Sequence, residues 1–230
     1  KMYFGLSEDQ IFFQDNVKKF LVDQLPLETI KKITEGKDVL AKEELHRSLI
    51  SLGINNILIP EKNGGLGLDL LFATAISQSL GEGVATLPFL GPYIIAPTAI
   101  KYGASDNQKE KLYSKMSQNL MNFGIGFSEY FGSRDSSGLN ISDKKVTGKT
   151  LFVLDVDFAT HVMVSDEGGQ IGIVSLDSDG IEMIDLITVD KTRTFTEMHF
   201  VDTPIEVLDK TKSSSVAVEM ALDAGRIITA

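Results

Sequence analysis

Asp223 and Arg226 stand three residues apart in a helical stretch near the end of the chain, so their side chains share one face. There Arg226 can donate to phosphate or carbonyl oxygens while Asp223 orients a neighbouring polar group, or the two can form an ordinary ion pair along the helix. Ser128 ends the apolar run that begins at Phe123, a place for a hydroxyl that donates to a ligand carbonyl or for one that merely finishes a strand. Phe152, Val153 and Leu154 read on their own as an apolar strand core. Arg134, next to Ser133, is a phosphate ligand or a solvated surface residue.

Other chemistries are poorly supported. The chain of 230 residues has no cysteine, which removes disulfides, thiolate nucleophiles and Cys-type metal sites. His46, His161 and His199 lie far apart and none belongs to a His-x-x-x-His pattern, so no metal is expected and the histidines read as solvated or structurally satisfied. Gly124-Ile125-Gly126 lacks the spacing and following helix of a dinucleotide fingerprint, and no Gly-x-Ser-x-Gly is present. A formal charge of −10 without a dense Lys/Arg run repels a phosphate backbone; no nucleic acid is expected, while a small anionic ligand stays open. No run approaches the ~20 apolar residues that span a bilayer, and no basic-apolar-small leader opens the chain. No membrane span is therefore expected, and the compartment reads as cytoplasmic or an equivalent.

The elements that must position these residues follow from pattern. Ser7 and Gln10 form a capping-box spacing, with Phe13, Val17, Phe20 and Leu21 as a buried stripe until Leu25-Pro26. A second helix is expected from Lys42 to Leu52, with Leu45, Leu49 and Leu52 inward and Gly53 at its end. Ile57 to Pro60 reads as an extended piece through the core, and 61–67 as a tight loop before a helix capped near Asp69 that carries Leu71, Ile76 and Leu80 inward. Helices from Tyr93 to Tyr102 and from Ser105 complete this part.

Near Met121 the pattern changes to short strands: Phe123–Ser128, Leu151–Leu154, His161–Ser165, Ile171–Ser175, Ile181–Ile184, Thr196–Val201 and Ile205–Leu208. After Ser213 a helix returns, with Val216, Met220 and Ile227 broadly on one side. The fold class is α+β: an all-α N-terminal domain (1–121), an antiparallel β-sandwich or barrel-like middle domain (122–212), and the start of a further helix (213–230).

Seven segments in this order resemble the acyl-CoA dehydrogenases: Leu6 to Gln10, Leu52-Gly53-Ile54, Ile59 to Gly67, Phe127-Ser128-Glu129, Gly148 to Asp155, Asp190 to Arg193, and Asp223 to Arg226. The resemblance covers nearly the whole chain. It implies FAD as cofactor, with the strand containing Ile125, Phe127 and Ser128 along the flavin ring and Ser128 donating to its pyrimidine edge. It implies that Phe152 packs on the ring, with Val153 and Leu154 beside it; Leu154 departs from the family's Ser or Thr. It implies substrate contacts from Ser133 or Arg134, where the family's Pro-Gly-Ala-Gly-Ser-Asp is here Tyr130 to Asp135, and from Asp223 and Arg226 to the CoA portion. Arg193 is implied to support the sheet.

The activity implied is α,β-desaturation of an acyl-CoA thioester, with an electron-transfer partner and a homo- or hetero-oligomer. The family's base is a Glu of a C-terminal helical domain, which should begin where this chain stops, so the resemblance implies a fragment or a shortened subunit. No catalytic residue is assigned, since neither Glu82 nor Glu129 matches the base position. The alternative is a non-catalytic acyl-CoA-binding or assembly subunit of the same fold, suggested by Leu154 and Arg134. A third is an oxygen-consuming relative.

Overall fold

The structure, a computed structural model, describes residues 5–134 and 136–230. Helix α1 (Glu8–Gln24) opens on the expected reciprocal cap: Ser7 Oγ accepts from the Gln10 amide at 3.2 Å and Gln10 Oε1 accepts from the Ser7 amide at 2.8 Å. Pro26 ends that helix and at once starts α2 (Leu27–Thr34), which the pattern did not reveal, because Pro suits the entry to a helix as well as its end. Helix α3 (Val39–Ser51) begins where Asp38 Oδ1 accepts from the Ala41 amide, and Gly53, at φ +80, turns the chain out of it.

The piece from Ile57 to Pro60 is not extended as expected. Ile54–Asn56 is a 3-10 turn and Ile57 keeps helical angles, so Ile57 and Ile59 reach the core from a coiled segment. The following loop folds back on it, with the amides of Leu66, Gly67 and Leu68 donating to the carbonyls of Asn56, Ile59 and Ile57. Helix α4 (Leu70–Glu82) is capped by Asp69 and buries Ala73, Ile76 and Leu80; Leu71, expected inward, is exposed. A wide turn over Leu90–Ile95 leads into α5 (Ala96–Gly103), and α6 (Asp106–Ser117) starts at the Ser105/Gln108 capping box.

Among the described residues eight strands then form one sheet: β1 (Phe123–Gly126), β2 (Gly138–Ser142), β3 (Lys145–Leu154), β4 (His161–Ser165), β5 (Ile171–Ser175), β6 (Ile181–Asp185), β7 (Phe195–Pro204) and β8 (Glu206–Val207). Their order is β6-β7-β3-β1-β4-β5-β8, with β2 also on β3. Every pairing is antiparallel except β1 with β4, which run parallel, so the sheet is mixed. Strand β2 was not anticipated; its Asn and Ser residues mask the alternation. One buried cluster gathers Val146, Val153, Val162, Val174, Met198 and Phe200 from the sheet. Another joins Phe123, Ile125, Met163 and Ile173 to Ile100 and Leu112 of the helices.

Helix α7 (Val216–Thr229) lies against α5; Ala217, Val218 and Ala221 join the Ile100–Leu112 cluster, and Ala224 and Ile228 join a second one with Leu49, Ile76 and Tyr93. Val216, Met220 and Ile227 share one side of it, as the periodicity indicates, and that side is the exposed one. The close approach of the two backbones explains this. A methyl on Gly103 would stand 3.0 Å from the Ala217 Cβ, so only small residues fit the seam. Among the described residues, no helix is long and apolar enough to cross a membrane.

Two glycine substitutions are expected to act with opposite sign. In Gly65→Ala the new methyl would collide with the Ile59 carbonyl, which the folded-back loop fixes, and stability should fall by ~1–3 kcal/mol. Gly81→Ala meets nothing within 4 Å inside α4 and should gain ~0.5–1 kcal/mol. Urea unfolding of the two variants checks both signs.

Candidate functional site

Strand β1 ends at Gly126, and Ser128–Phe131 makes a single 3-10 turn. Its Glu129 side chain is only 1% exposed. A buried carboxyl group requires donors, and Glu129 has three: the Leu151 amide at 2.8 Å, the Ser128 hydroxyl at 2.9 Å, and a short bond from the buried Thr150 hydroxyl. The Ser128 hydroxyl also stands 2.5 Å from the Leu151 carbonyl, so its single proton has Leu151 and Glu129 in reach.

These bonds meet a defined need. The register of β3 on β7 slips between Thr150 and Val153, so the chain bulges and leaves the ladder at Leu151 and Phe152. Ser128 and Glu129 supply partners for both backbone groups of Leu151. Beyond them Phe152 sits at φ +54, a left-handed conformation costing a bulky residue ~1–3 kcal/mol. Its side chain is 48% exposed, and Val153 then returns to the buried interior.

The same turn reaches helix α7. The Tyr130 hydroxyl donates to Glu219 at 2.7 Å, and the Arg226 guanidinium lies 5.5 Å from the exposed Phe131 ring. Arg226 is also paired with Asp223 at 2.5 Å, an exposed ion pair.

On the other side of the bulge, Asp155 lies buried where β3 meets the Leu90–Ile95 turn, accepting from the Gly91 amide at 2.7 Å. Burial pushes its carboxyl up to about 6, against the opposing pull of the Gly91 amide and Arg193. Nearby, His46 of α3 stands 3.1 Å from the Tyr93 hydroxyl and stacks on Phe158, ring centroids 4.2 Å apart. Burial, with the charge of Lys42, lowers the His46 imidazole to about 4, and burial with the Asp155 charge raises the Tyr93 phenol. Lys42 pairs with Asp157 at 2.8 Å, fastening α3 to the same loop. His46 and Tyr93 line a cavity of about 610 Å³ whose walls also include Leu49, Ile54, Leu80, Phe89, Gln78 and Arg193.

Residues 7–119 match the family model described as "Acyl-CoA dehydrogenase, N-terminal domain". Over this stretch the chain belongs to the acyl-CoA dehydrogenase family. A solved glutaryl-coenzyme A dehydrogenase in complex with glutaryl-CoA superposes with a TM-score of 0.81 at 18% identity, covering 99% of this chain and 63% of that one. Butyryl-CoA dehydrogenase from Megasphaera elsdenii gives 0.78 at 20% identity, with 99% and 65% covered. An acyl-CoA dehydrogenase complexed with FAD from Bacillus anthracis gives 0.78 at 15% identity, with 97% and 42% covered. The chain thus spans less than two thirds of the length of each of these structures.

Within this acyl-CoA dehydrogenase fold, the residues singled out from sequence fall into two sets. Ser128, Phe152, Asp223 and Arg226 are tied to one turn, directly or through their neighbours. Ser133 and Arg134 follow it as exposed residues; the Arg134 amide donates to Ser137 Oγ, and its guanidinium has no carboxylate partner among the described residues. Asp135 lies outside the described residues. The side chains of Ile125, Phe127 and Val153 are packed in the core, so any ligand there would meet backbone, and Leu154 is half-buried. His46, read from sequence as solvated or structurally satisfied, is buried and bonded to Tyr93, and Asp155, the last residue of a quoted segment, had no role assigned. The signal for His46 was its place three residues before Leu49, on the inner stripe of α3.

Glu129→Ala should lower stability by about 2–5 kcal/mol, because the buried Leu151 amide and Thr150 hydroxyl each lose an acceptor worth ~1–3 kcal/mol. Asp223→Ala, at an exposed pair, should stay within about 0.5 kcal/mol. Urea titrations of both variants test the contrast.

For Asp155 the folded pKa is raised above the unfolded value near 4, so its contribution is most favourable below pH 4 and declines as pH rises towards 6. Relative to Asp155→Asn, the native protein should lose about 3 kcal/mol between pH 4 and pH 7. His46, whose pKa is lowered, acts in the opposite sense in both proteins and cancels from the difference. Unfolding free energies of the pair at the two pH values measure it.

Proposed function

We propose that this chain is part of an FAD-dependent acyl-CoA dehydrogenase that desaturates an acyl-CoA thioester between its α and β carbons. The observation that carries the reading is Phe152, an exposed aromatic held in a left-handed conformation by a buried hydrogen-bond set. Strain of this kind persists where the surroundings over-determine it, and it clusters at ligand sites. A half-exposed ring beside such a bulge suits a planar ring system as its neighbour.

Bound FAD would supply the acceptor for the β-hydride. Phe152 would shield one face of that ring system from water, and Ser128 would keep the bulge in place. Arg226 would donate to phosphate or carbonyl oxygens of the CoA portion, exchanging part of its pairing with Asp223. The largely apolar cavity beside Tyr93 would take the acyl group. Neither Glu129 nor Asp155 is assigned as base, since each is engaged in holding backbone. An electron-transferring partner and an oligomer belong to the same reading.

The fit to FAD is good at Phe152 and weaker at Leu154, which has no hydroxyl to offer. With the Ser128 proton already in reach of Leu151 and Glu129, hydrogen bonds to the ring would come from backbone groups of the turn and bulge. These two features favour the second reading, a non-catalytic acyl-CoA-binding subunit. The test uses the protein expressed from its complete gene. It should hold flavin whose visible absorbance bleaches with an acyl-CoA, and Phe152→Ala should weaken FAD binding roughly three- to tenfold, the worth of one aromatic stack. Equal acyl-CoA binding with and without FAD, with no bleaching, would instead establish the second reading.

A further inference from the structure

The cavity beside α3 carries a charge that the flavin reading does not use. Arg193, exposed in the bend before β7, is the one charged side chain among the described residues that line it, and no carboxylate side chain shares the wall. His46 and Tyr93 are neutral there at neutral pH, since burial lowers the imidazole to about 4 and raises the phenol. Asp155 and Asp190 lie within range of the guanidinium charge, yet neither pairs with it among the described residues. Asp155 accepts from the Gly91 amide, and Asp190 from the amide and hydroxyl of Thr192. Arg193 therefore keeps a planar fork of five N–H donors with no protein acceptor among the described residues.

The other polar groups of the wall are already engaged. The hydroxyls of Thr74, Ser77 and Thr229 donate to the carbonyls of Leu70, Ile228 and Gly225, and that of Thr192 donates to Asp190. The Gln78 side chain accepts from Gln14 and donates to Glu82. What remains is an apolar surface of Leu49, Ile54, Leu80 and Phe89 with a guanidinium at one place. An occupant that fills such a cavity removes water from Arg193. A neutral occupant leaves that charge poorly solvated, whereas a carboxylate meets it with two parallel charge-assisted bonds. The apolar remainder of the wall requires that the anion be carried on a hydrocarbon body, which the phosphates of a nucleotide lack.

We infer that this cavity selects an aliphatic carboxylate, with its hydrocarbon part against Leu49, Ile54, Leu80 and Phe89 and its carboxylate paired with Arg193. The cavity chemistry stands by itself. Its extension to the substrate, an acyl-CoA whose acyl group ends in a second carboxylate, rests on the function proposed above.

The probes are octanoate and octanamide, alike in length and shape, one charged and one neutral. Titration calorimetry on the protein expressed from its complete gene, at low ionic strength, should show octanoate bound roughly three- to tenfold more tightly, the effect of one partly exposed charge-assisted pair. Arg193→Gln should erase the preference and leave octanamide binding as it was. Free coenzyme A, which has phosphates but no carboxylate, should bind the native protein and Arg193→Gln equally. Should that variant fold poorly, salt reads the same pair in the native protein: the preference should shrink as ionic strength rises from about 0.05 to about 0.5 M. Equal affinity for the two probes, no binding of either, a preference that survives in folded Arg193→Gln or is indifferent to salt, or coenzyme A binding weakened by Arg193→Gln would each overturn the inference. Neither probe contains CoA or a thioester. Carboxylate selection can therefore hold where acyl-CoA fails to bleach flavin, and can fail where bleaching succeeds.

Discussion

A carboxyl group without access to water holds the centre of this molecule together. Glu129 accepts from Thr150, Leu151 and Ser128, and so connects the turn after β1 to the one place where β3 leaves its ladder. A bulge in the middle of a sheet exposes backbone groups that have lost their strand partners. Here the amide and carbonyl of Leu151 are met by the side chains of Glu129 and Ser128. With those bonds in place Phe152 can keep a conformation that a bulky residue ordinarily avoids and turn its ring outward. From the other end of the same turn, Tyr130 and Phe131 contact Glu219 and Arg226, so the position of α7 is tied to the same carboxyl group through one short stretch of chain.

This arrangement explains what the sequence disclosed and what it hid. The capping boxes at Ser7 and Ser105 are local, with both partners within three residues, and both form as their spacing foretells. The strands β4 and β5 are continuous β-branched and apolar runs between turn residues, and their limits were legible to the residue. The acyl-CoA dehydrogenase family was legible too, through ordered segments that the N-terminal family model supports independently. By contrast the bulge at Phe152 depends on a side chain 22 residues earlier, and nothing in Phe152-Val153-Leu154 itself signals an interruption. The flattening of hydrophobic contrast on α7 has a similar origin. Where it meets Gly103 of α5 only the small Ala217 fits, while the larger Val216, Met220 and Ile227 share the exposed side.

The second contact between helices and sheet is built from different chemistry. Around Asp155 a buried carboxyl group, a buried imidazole and a buried phenol gather where α3, the turn before α5 and the end of β3 converge. Each would be unfavourable alone in that setting. Together they are partly satisfied: Asp155 by Gly91, His46 by Tyr93, and the neighbouring Lys42 by Asp157. A polar junction of this kind requires more specific geometry than an apolar one, because each group demands a partner at a set distance. It also leaves space, since hydrogen-bonded groups hold their separation where aliphatic side chains would close up. The cavity opens at this junction, between α3, α4 and the turn before α5.

Two kinds of rigidity therefore border the site. The Glu129 set braces an exposed aromatic ring by meeting the backbone of Leu151 beside it, whereas the His46–Tyr93 pair lines a cavity. The difference follows from hydrogen-bond counts. Glu129 accepts from Thr150 and Leu151, and the single Ser128 proton lies between Glu129 and the Leu151 carbonyl, so no donor there is left over for a ligand. In the His46–Tyr93 pair the bond between the residues uses only half of their donors. Saturation suits a platform that must not move when something lies on it. Both sets depend on partners 21 to 47 positions apart, which is why each becomes visible only once the sheet and helices are assembled.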